Sequence, residues 1–443
     1  MSPALALLCS LALMTGCTTL TLTKDEELAD VQTLVQQPAV YTETEIEPFS
    51  TEQHSAFLEQ FKEKYFSPWF MESVPHTVEE SMWGKIYFRT PSYGENKRQL
   101  SSDDIDHLFD NANFEKFDTE RVYAITVAET NLRVFPSKSV IFKDPARPGE
   151  GFPFDYNQAT LLAANTPLFI SHYSKDGLWA LVESNITQGW ISVRDFALVD
   201  AEFRQQFMSD NYATVIQNRL VLKHGGQVLF DVGLGTLLTI SDGQYRLAAK
   251  KPDNYATFID VDPDEAIQPL GLPFNSEYVD AISHEMVAEP YGWGGLYHHR
   301  DCSMLTRDFF LPFGIFLNRN SVAQLENGQN MDLTSFSDEE KKQFLLEHGQ
   351  PFKTLLYLPG HILLYVGQQD GEPIVFHSLY SIKTDRIFRS KDYKRIVVGK
   401  AVVTTLELGK ERDNYNVETS LLRRIKTMVI IQPDETTVEA AEK

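Results

Sequence analysis

The hydrophobic period of this chain changes twice, which excludes a single uniform layer of helices or strands. Between residues 49 and 117 apolar residues recur at spacings of three and four, as in Phe57, Leu58, Phe61 and Tyr65. That is one face of a helix. The pattern breaks at Pro68-Trp69-Phe70, and a second helical piece over 101–109 opens on the capping run Ser101-Ser102-Asp103-Asp104. From 121 to 200 the period drops to two, in short runs over 122–127, 166–170, 178–182 and 189–193 separated by Pro, Gly, Asn and Asp. A fainter copy follows over 221–261, where Gly235 to Ile240 echoes Thr166 to Ile170 and Asp242 to Leu247 echoes Asp176 to Leu181. Repetition at a roughly seventy-residue offset reads as a tandem pair of small β modules. The Pro- and Gly-rich stretch 263–274 then leads into a third part of mixed period. A chain of 443 residues with 42% hydrophobic and 12% aromatic content has material for a core in each part.

The ends differ from the body. Residues 4–16 form an apolar run of signal-peptide length ending Leu13-Met14-Thr15-Gly16-Cys17. Small residues before a cysteine resemble a bacterial lipoprotein cleavage site, so 1–17 is expected to be a leader and Cys17 the acylated residue. Residues 18–48 are polar and acidic without periodicity and are expected to form a tether. Residues 411–443 are expected to be a tail. The net charge of −22 offers no basic face and excludes nucleic acid as a partner. No other segment is long and apolar enough to span a membrane.

With Cys9 and Cys17 in the leader, Cys302 is the one thiol of the folded body and can join no intramolecular disulfide. It follows a turn rich in glycine (Gly292, Gly294, Gly295) and precedes a helical run over 303–310 ended by Pro312 and Gly314. A thiol at a helix N-terminus is expected to have a lowered pKa, as a nucleophile requires; the alternative is a small buried hydrophobe. Upstream, Asn275 or Ser276 caps a helix with the stripe Val279, Ile282, Met286. Downstream, Ser337 to Glu340 is a capping box for a helix that stops at Gly349. Strands are expected over 354–358, 361–366 and 374–380.

A cysteine nucleophile needs a base and a group that orients the base. His361 opens one strand and His377 lies on the next. If Gln369-Asp370-Gly371 form the connecting loop, the two histidines share a face; a two-residue Asp-Gly loop would put them on opposite faces. The catalytic reading therefore demands an odd-numbered loop. A metal site of His298, His299 and Cys302 is the rival use, weakened because adjacent histidines seldom point at one ion and no second cysteine has zinc-like spacing.

The runs NLRVFPS, DGLWALVES and GWISVRDF resemble bacterial SH3-like modules, small barrels of five or six strands. YGWGG, RDCS, the strand His361 to Gly367 and His377 resemble the NlpC/P60 cysteine peptidases, which have a papain-like fold. The run LTRDFFLPFGIFLNRNSVAQ and the upstream modules resemble a multi-domain subgroup of that family. Met304 stands where the wider family often has glycine. The resemblance implies a small helical N-terminal domain (49–120), two SH3-like barrels (121–202 and 203–268) and a C-terminal α+β papain-like domain (269–410). It further implies an exported endopeptidase that cleaves the γ-D-glutamyl-L-diamino acid bond of peptidoglycan stem peptides, with no metal or organic cofactor. The implied roles are Cys302 as nucleophile, His361 as base and His377 as orienting group. Tyr291 would join the Cys302 N–H as an oxyanion donor, and Asp301, Ser303 and, in the RNS turn, Ser321 would receive the free amino end of the stem peptide. The implied location is the cell envelope or periplasm, lipid-anchored to a membrane. The alternatives are an amidase or acyltransferase on the same fold, or a non-enzymatic wall-binding scaffold. The SH3-like modules would either bind wall or restrict the cleft.

Overall fold

The computed structural model describes residues 27–434 apart from 44, 210, 389 and 390. The leader with Cys17 and the last nine residues lie outside the described residues. Among the described residues no helix is long and apolar enough to cross a membrane.

Two β units occupy the middle of the chain. The first is a seven-stranded antiparallel sheet whose strands run from Val122–Thr126 to Phe196–Leu198, curled around Leu132, Leu162, Ile170, Val182 and Ile191. It exceeds the expected five or six strands because Phe196–Leu198 adds a short edge piece beside Val122–Thr126. The second unit has a five-stranded sheet, from Asn211–Val215 to Ile267–Pro269, and the separate hairpin Arg219–His224/Gln227–Gly233. It closes on its own core, including Val215, Leu222, Leu238 and Leu247. Asn165, at φ 66°, ties the two together: its side chain donates to Leu237 O (2.8 Å) and accepts from Ala248 N (2.8 Å).

The helix Thr51–Phe66 starts from a capping box between Ser50 and Gln53. It is a wedge, because Phe57 enters the core of the C-terminal part while Phe61, Tyr65 and Phe66 pack with Ile125 and Tyr212 of the β units. The helix over Ser102–Asn111 has the capping box expected of Ser101, closed by Asp104.

The C-terminal part is a six-stranded antiparallel sheet covered by the helices Ser276–Met286 and Cys302–Phe310 on one face. Asn275 caps the first helix by accepting from Tyr278 N, and Val279, Ile282 and Met286 are fully buried. The helix Asp338–His348 begins at the Ser337/Glu340 capping box.

Two expectations fail here. Residues 411–431 are not a tail. Thr427–Ile431 runs between the strands Gly328–Asp332 and Thr354–Leu358 as an interior strand, with Met428 and Val429 fully buried. An open gap between two strands offers hydrogen bonds to both edges, which the apolar run Met428 to Ile431 takes. Nor are residues 27–48 a tether. Leu28, Tyr41 and Ile46 are buried. Gln36 bonds both ways with the Val403 backbone (3.1 and 2.9 Å), and Asp30 accepts from Thr405 N and Oγ1 (2.8 Å each). These side chains cover the exposed edge of the strand Tyr393–Thr405, so aperiodic spacing did not mean absence of packing.

Candidate active site

Cys302 is the first residue of its helix. Its backbone N–H is therefore one of the donors that a helix N-terminus leaves without an intrahelical partner. The preceding turn needs its glycines. Gly294 and Gly295 have φ of 59° and 82°, and a Cβ on Gly292 would meet the carbonyl oxygens of His299 and Leu296. Beneath the turn, buried Arg300 pairs with Glu289 (2.5 Å) and Asp308 (2.8 Å) and bonds Asn218 (2.5 Å). Its guanidinium is held firmly charged by those two carboxylates despite burial.

The histidines meet, though not by the expected loop. The strands His361–Gln369 and Glu372–Arg386 are joined by Asp370 and Gly371 alone, at φ of 52° and 78°. That is the left-handed pair required by a two-residue type I′ turn. Near the turn Gln369 faces Glu372 and Gly367 faces Ile374; past an extra residue, Tyr365 faces Val375 and Leu364 faces Phe376. A bulge at Val366 thus supplies the one-residue shift that the loop does not. The N-terminal segment holds the bulge in place. Thr42 Oγ1 donates to Val366 O (3.0 Å), and Gly367, at φ 131°, lies so close to Tyr41 O that no Cβ fits.

With parity restored, His361 Nε2 is 2.8 Å from His377 Nδ1, and His377 Nε2 is 3.0 Å from Thr404 Oγ1. The Thr404 hydroxyl donates to Thr405 O (2.9 Å), so toward His377 its oxygen accepts. Burial depresses the pKa of both rings, so each is neutral and carries one proton. His377 then holds its proton on Nε2 and accepts on Nδ1 from His361 Nε2–H. This leaves His361 Nδ1 unprotonated. Thr404 has no sequence signal, since it reaches His377 only through the pairing of distant strands.

Cys302, His361, Tyr291 and Trp293 line a common cleft of about 250 Å³. The first β unit supplies part of its wall: Phe154 packs on Trp293 (5.2 Å between centroids) and Tyr380 (4.8 Å), and Trp293 Nε1 donates to Asp155 O. Trp293 is thus both packing and cleft wall.

Asp301 and Ser303 are beside Cys302 but not free. Asp301 caps the helix by accepting from Met304 N (2.9 Å), accepts also from Gly294 N (3.0 Å), and pairs with Arg319 (2.6 Å). Arg319 donates as well to Ser303 Oγ (2.9 Å) and to Thr160 Oγ1 of the first β unit (2.7 Å). A guanidinium therefore fills the place expected for an incoming ammonium. Ser321, two residues on in the same turn, is half-buried and does not line the cleft. A buried carboxylate requires a cation, which was the available signal for Arg319. Met304 is buried at the contact between the helix and Gly295. His298 and His299 turn to different carboxylates, Glu129 (2.7 Å) and Glu289 (3.6 Å).

The thiol departs from expectation. Burial, and after it the Asp301 carboxylate, push Cys302 up to about 12, overriding the helix dipole. Burial, with Arg424 second, pushes His361 down to about 3. The resting pair is thiol and neutral imidazole, a proton transfer away from the ion pair. Burial also holds the Tyr291 hydroxyl protonated, as a donor must be.

Three family models match the chain: the NLPC_P60 stabilising domain, N term, over residues 6–117; the SH3 domain of SH3b1 type over 141–192; and the NlpC/P60 family over 288–396. No curated protein matches it. Among solved structures, an NlpC/P60 endopeptidase from Photobacterium damselae subsp. piscicida is similar at 22% identity and a TM-score of 0.81, covering 90% of this chain and 98% of its own. An NlpC/P60 family protein from Bacillus cereus ATCC 10987 is 14% identical, with a TM-score of 0.43, covering 70% of this chain and 100% of its own. The likeness to the Photobacterium structure, at 22% identity, speaks for the fold. The chain carries an NlpC/P60 family domain, preceded by an NLPC_P60 stabilising domain and an SH3 domain.

Proposed function

We propose that this protein is a cell-wall cysteine peptidase that hydrolyses the γ-D-glutamyl-L-diamino acid bond of peptidoglycan stem peptides. The observation that carries this reading is the hydrogen-bonded line Thr404–His377–His361, which ends at a histidine lining the cleft that also holds Cys302. In this reading Cys302 Sγ attacks the γ-carbonyl carbon as its proton passes to His361 Nδ1. The Cys302 N–H and the Tyr291 hydroxyl stabilise the developing oxyanion. His361 then gives the proton to the leaving amine as the C–N bond breaks, leaving a thioester on Cys302. Water, deprotonated by His361, attacks the thioester and releases the glutamyl carboxylate and the thiol. His377 positions the ring of His361. Asp301 and Ser303 act through Arg319 to fix the start of the nucleophile helix, and Ser321 is given no part.

Two SH3-like modules, over about 121–202 and 203–268, precede a catalytic domain that we extend from 269 to 431. The position of Phe154 favours restriction of the cleft as the role of the first module. Export and acylation at Cys17 belong to the same proposal and place the enzyme at a membrane face of the envelope.

The test is incubation of the protein from Thr18 onward with L-Ala-γ-D-Glu-diaminopimelate, beside a Cys302→Ala control, with products followed by mass spectrometry. Release of L-Ala-D-Glu by the unsubstituted protein alone is expected. Cleavage by both would overturn Cys302 as nucleophile, and cleavage at another bond would overturn the specificity.

A further inference from the structure

Beyond the reacting atoms the cleft has a character that the chain as a whole lacks. The protein carries a net charge of −22, yet among the described residues the lining holds Lys383, Arg395 and Arg424 and no carboxylate. These cations come from three elements. Lys383 continues the His377 strand, Arg395 sits on the next strand, and Arg424 ends the short helix Leu421–Arg424. Lys383 and Arg395 are directly opposite each other in the antiparallel pair, where like charges destabilise.

Among the described residues no ion pair with a carboxylate offsets that repulsion, and Glu150 and Asp392 act on Arg395 only from a distance. Arg395 Nη1 donates to Ser381 Oγ (2.9 Å) and Arg424 Nη2 to Pro359 O (2.7 Å), contacts that orient the guanidinium groups without neutralising them. The nearby acids Glu150 and Asp392 are both paired with Arg147 (3.2 and 2.5 Å). Three half-buried cations held together without an ion-paired carboxylate, beside His361, form an anion site.

Resting on the hydrolase reading above, we propose that Lys383, Arg395 and Arg424 bind carboxylate on the diamino acid, so that the cleft selects a residue whose side chain ends in a carboxylate, diaminopimelate, over one ending in an ammonium alone, lysine. Diaminopimelate brings a second carboxylate to the cluster, whereas lysine adds a like charge to three already present. Charge-assisted hydrogen bonds of this kind correspond to roughly 10- to 100-fold in selectivity.

The test compares kcat/KM for L-Ala-γ-D-Glu-meso-diaminopimelate and L-Ala-γ-D-Glu-L-Lys. The full chain is used unsubstituted and as Lys383→Gln and Arg424→Gln. The unsubstituted protein is expected to prefer the diaminopimelate peptide by at least about tenfold. Each substitution should shrink that ratio, and a circular dichroism spectrum matching the unsubstituted protein shows that the variant is folded. A ratio near one in the unsubstituted protein, or one that neither substitution changes, would overturn the proposal. If neither peptide is cleaved, the hydrolase reading falls and calorimetric binding to Cys302→Ala decides the subsite. Tighter binding of the diaminopimelate peptide, lost in a Cys302→Ala/Arg424→Gln double variant, upholds it; equal or absent binding of the two peptides sinks it.

Discussion

Replacing Thr404 by valine removes one oxygen from a site that touches neither thiol nor substrate, yet it should strike at the base. His377 is fully buried, and Thr404 Oγ1 is the acceptor for its Nε2–H. Valine leaves two arrangements. If His377 keeps its tautomer, a buried N–H loses its partner, at about 1–3 kcal/mol. If the proton moves to Nδ1, it confronts the His361 Nε2–H at 2.8 Å, and His361 must shift its own proton to Nδ1, the nitrogen the reaction needs free. Either way the competent tautomer pair is disfavoured by that energy, so kcat/KM on the stem peptide should fall roughly 5- to 150-fold. Thr404→Ser keeps the hydroxyl and should retain most activity. The loss should appear in kcat rather than KM, because binding groups are untouched. Nitrogen-15 spectra of the imidazoles report the tautomers directly, and a merely structural role would not move them. If Thr404→Val matches Thr404→Ser in kcat with unchanged His361 and His377 signals, the relay has no catalytic role.

The remaining predictions follow from the same geometry. Arg319→Met leaves the buried Asp301 carboxylate without its cation and should cost about 3–5 kcal/mol, read as a lowered denaturation midpoint; a midpoint equal to that of the unsubstituted protein would show Asp301 to be satisfied by its backbone donors alone. Alkylation of Cys302 by iodoacetamide in the free protein should rise steadily up to at least pH 10, since its thiol is pushed up to about 12; a plateau by pH 7 would mean a resident thiolate–imidazolium pair. His361 is depressed to about 3 in the folded state, so the unfolded chain binds the extra proton first. Stability should therefore be intact above about pH 6.5 and decline as pH falls toward 3, by on the order of 5 kcal/mol at the limit; in His361→Gln, urea midpoints should lose much of that acid slope. Deleting Val366 removes the bulge and should abolish hydrolysis while leaving a folded sheet by circular dichroism; retained activity would show that the register of this hairpin does not control the histidines.

Period and capping were legible because they are local. Val279, Ile282 and Met286 marked a buried stripe, and Ser101, Asn275 and Ser337 each marked a helix start. Asp370-Gly371 carried an equally local signal for a two-residue turn. What was not legible depends on partners far along the chain. The segment 27–48 has no period because it borrows order from a sheet edge more than 350 residues away, as at Asp30 and Thr405. Thr427–Ile431 is a short apolar run that gives no hint of which two strands it will separate. Arg319 was missed for a different reason. The turn that holds it was noticed, but polar chemistry was sought in Ser321, whereas burial of Asp301 calls for a charge.

The bulge at Val366 shows how these local and distant signals combine. The turn alone puts His361 and His377 on opposite faces of the hairpin, so the strongest local signal argues against the catalytic pair. One extra residue reverses that parity. An extra residue in a strand is costly unless its stranded groups are met elsewhere, and here the Val366 carbonyl is met by Thr42, while Tyr41 packs against Gly367. The aperiodic segment read as a tether is thus what lets the histidines meet. The N-terminal strap, the glycine at φ 131° and the Asp-Gly turn make one device, and none can be altered alone without moving His361 relative to His377.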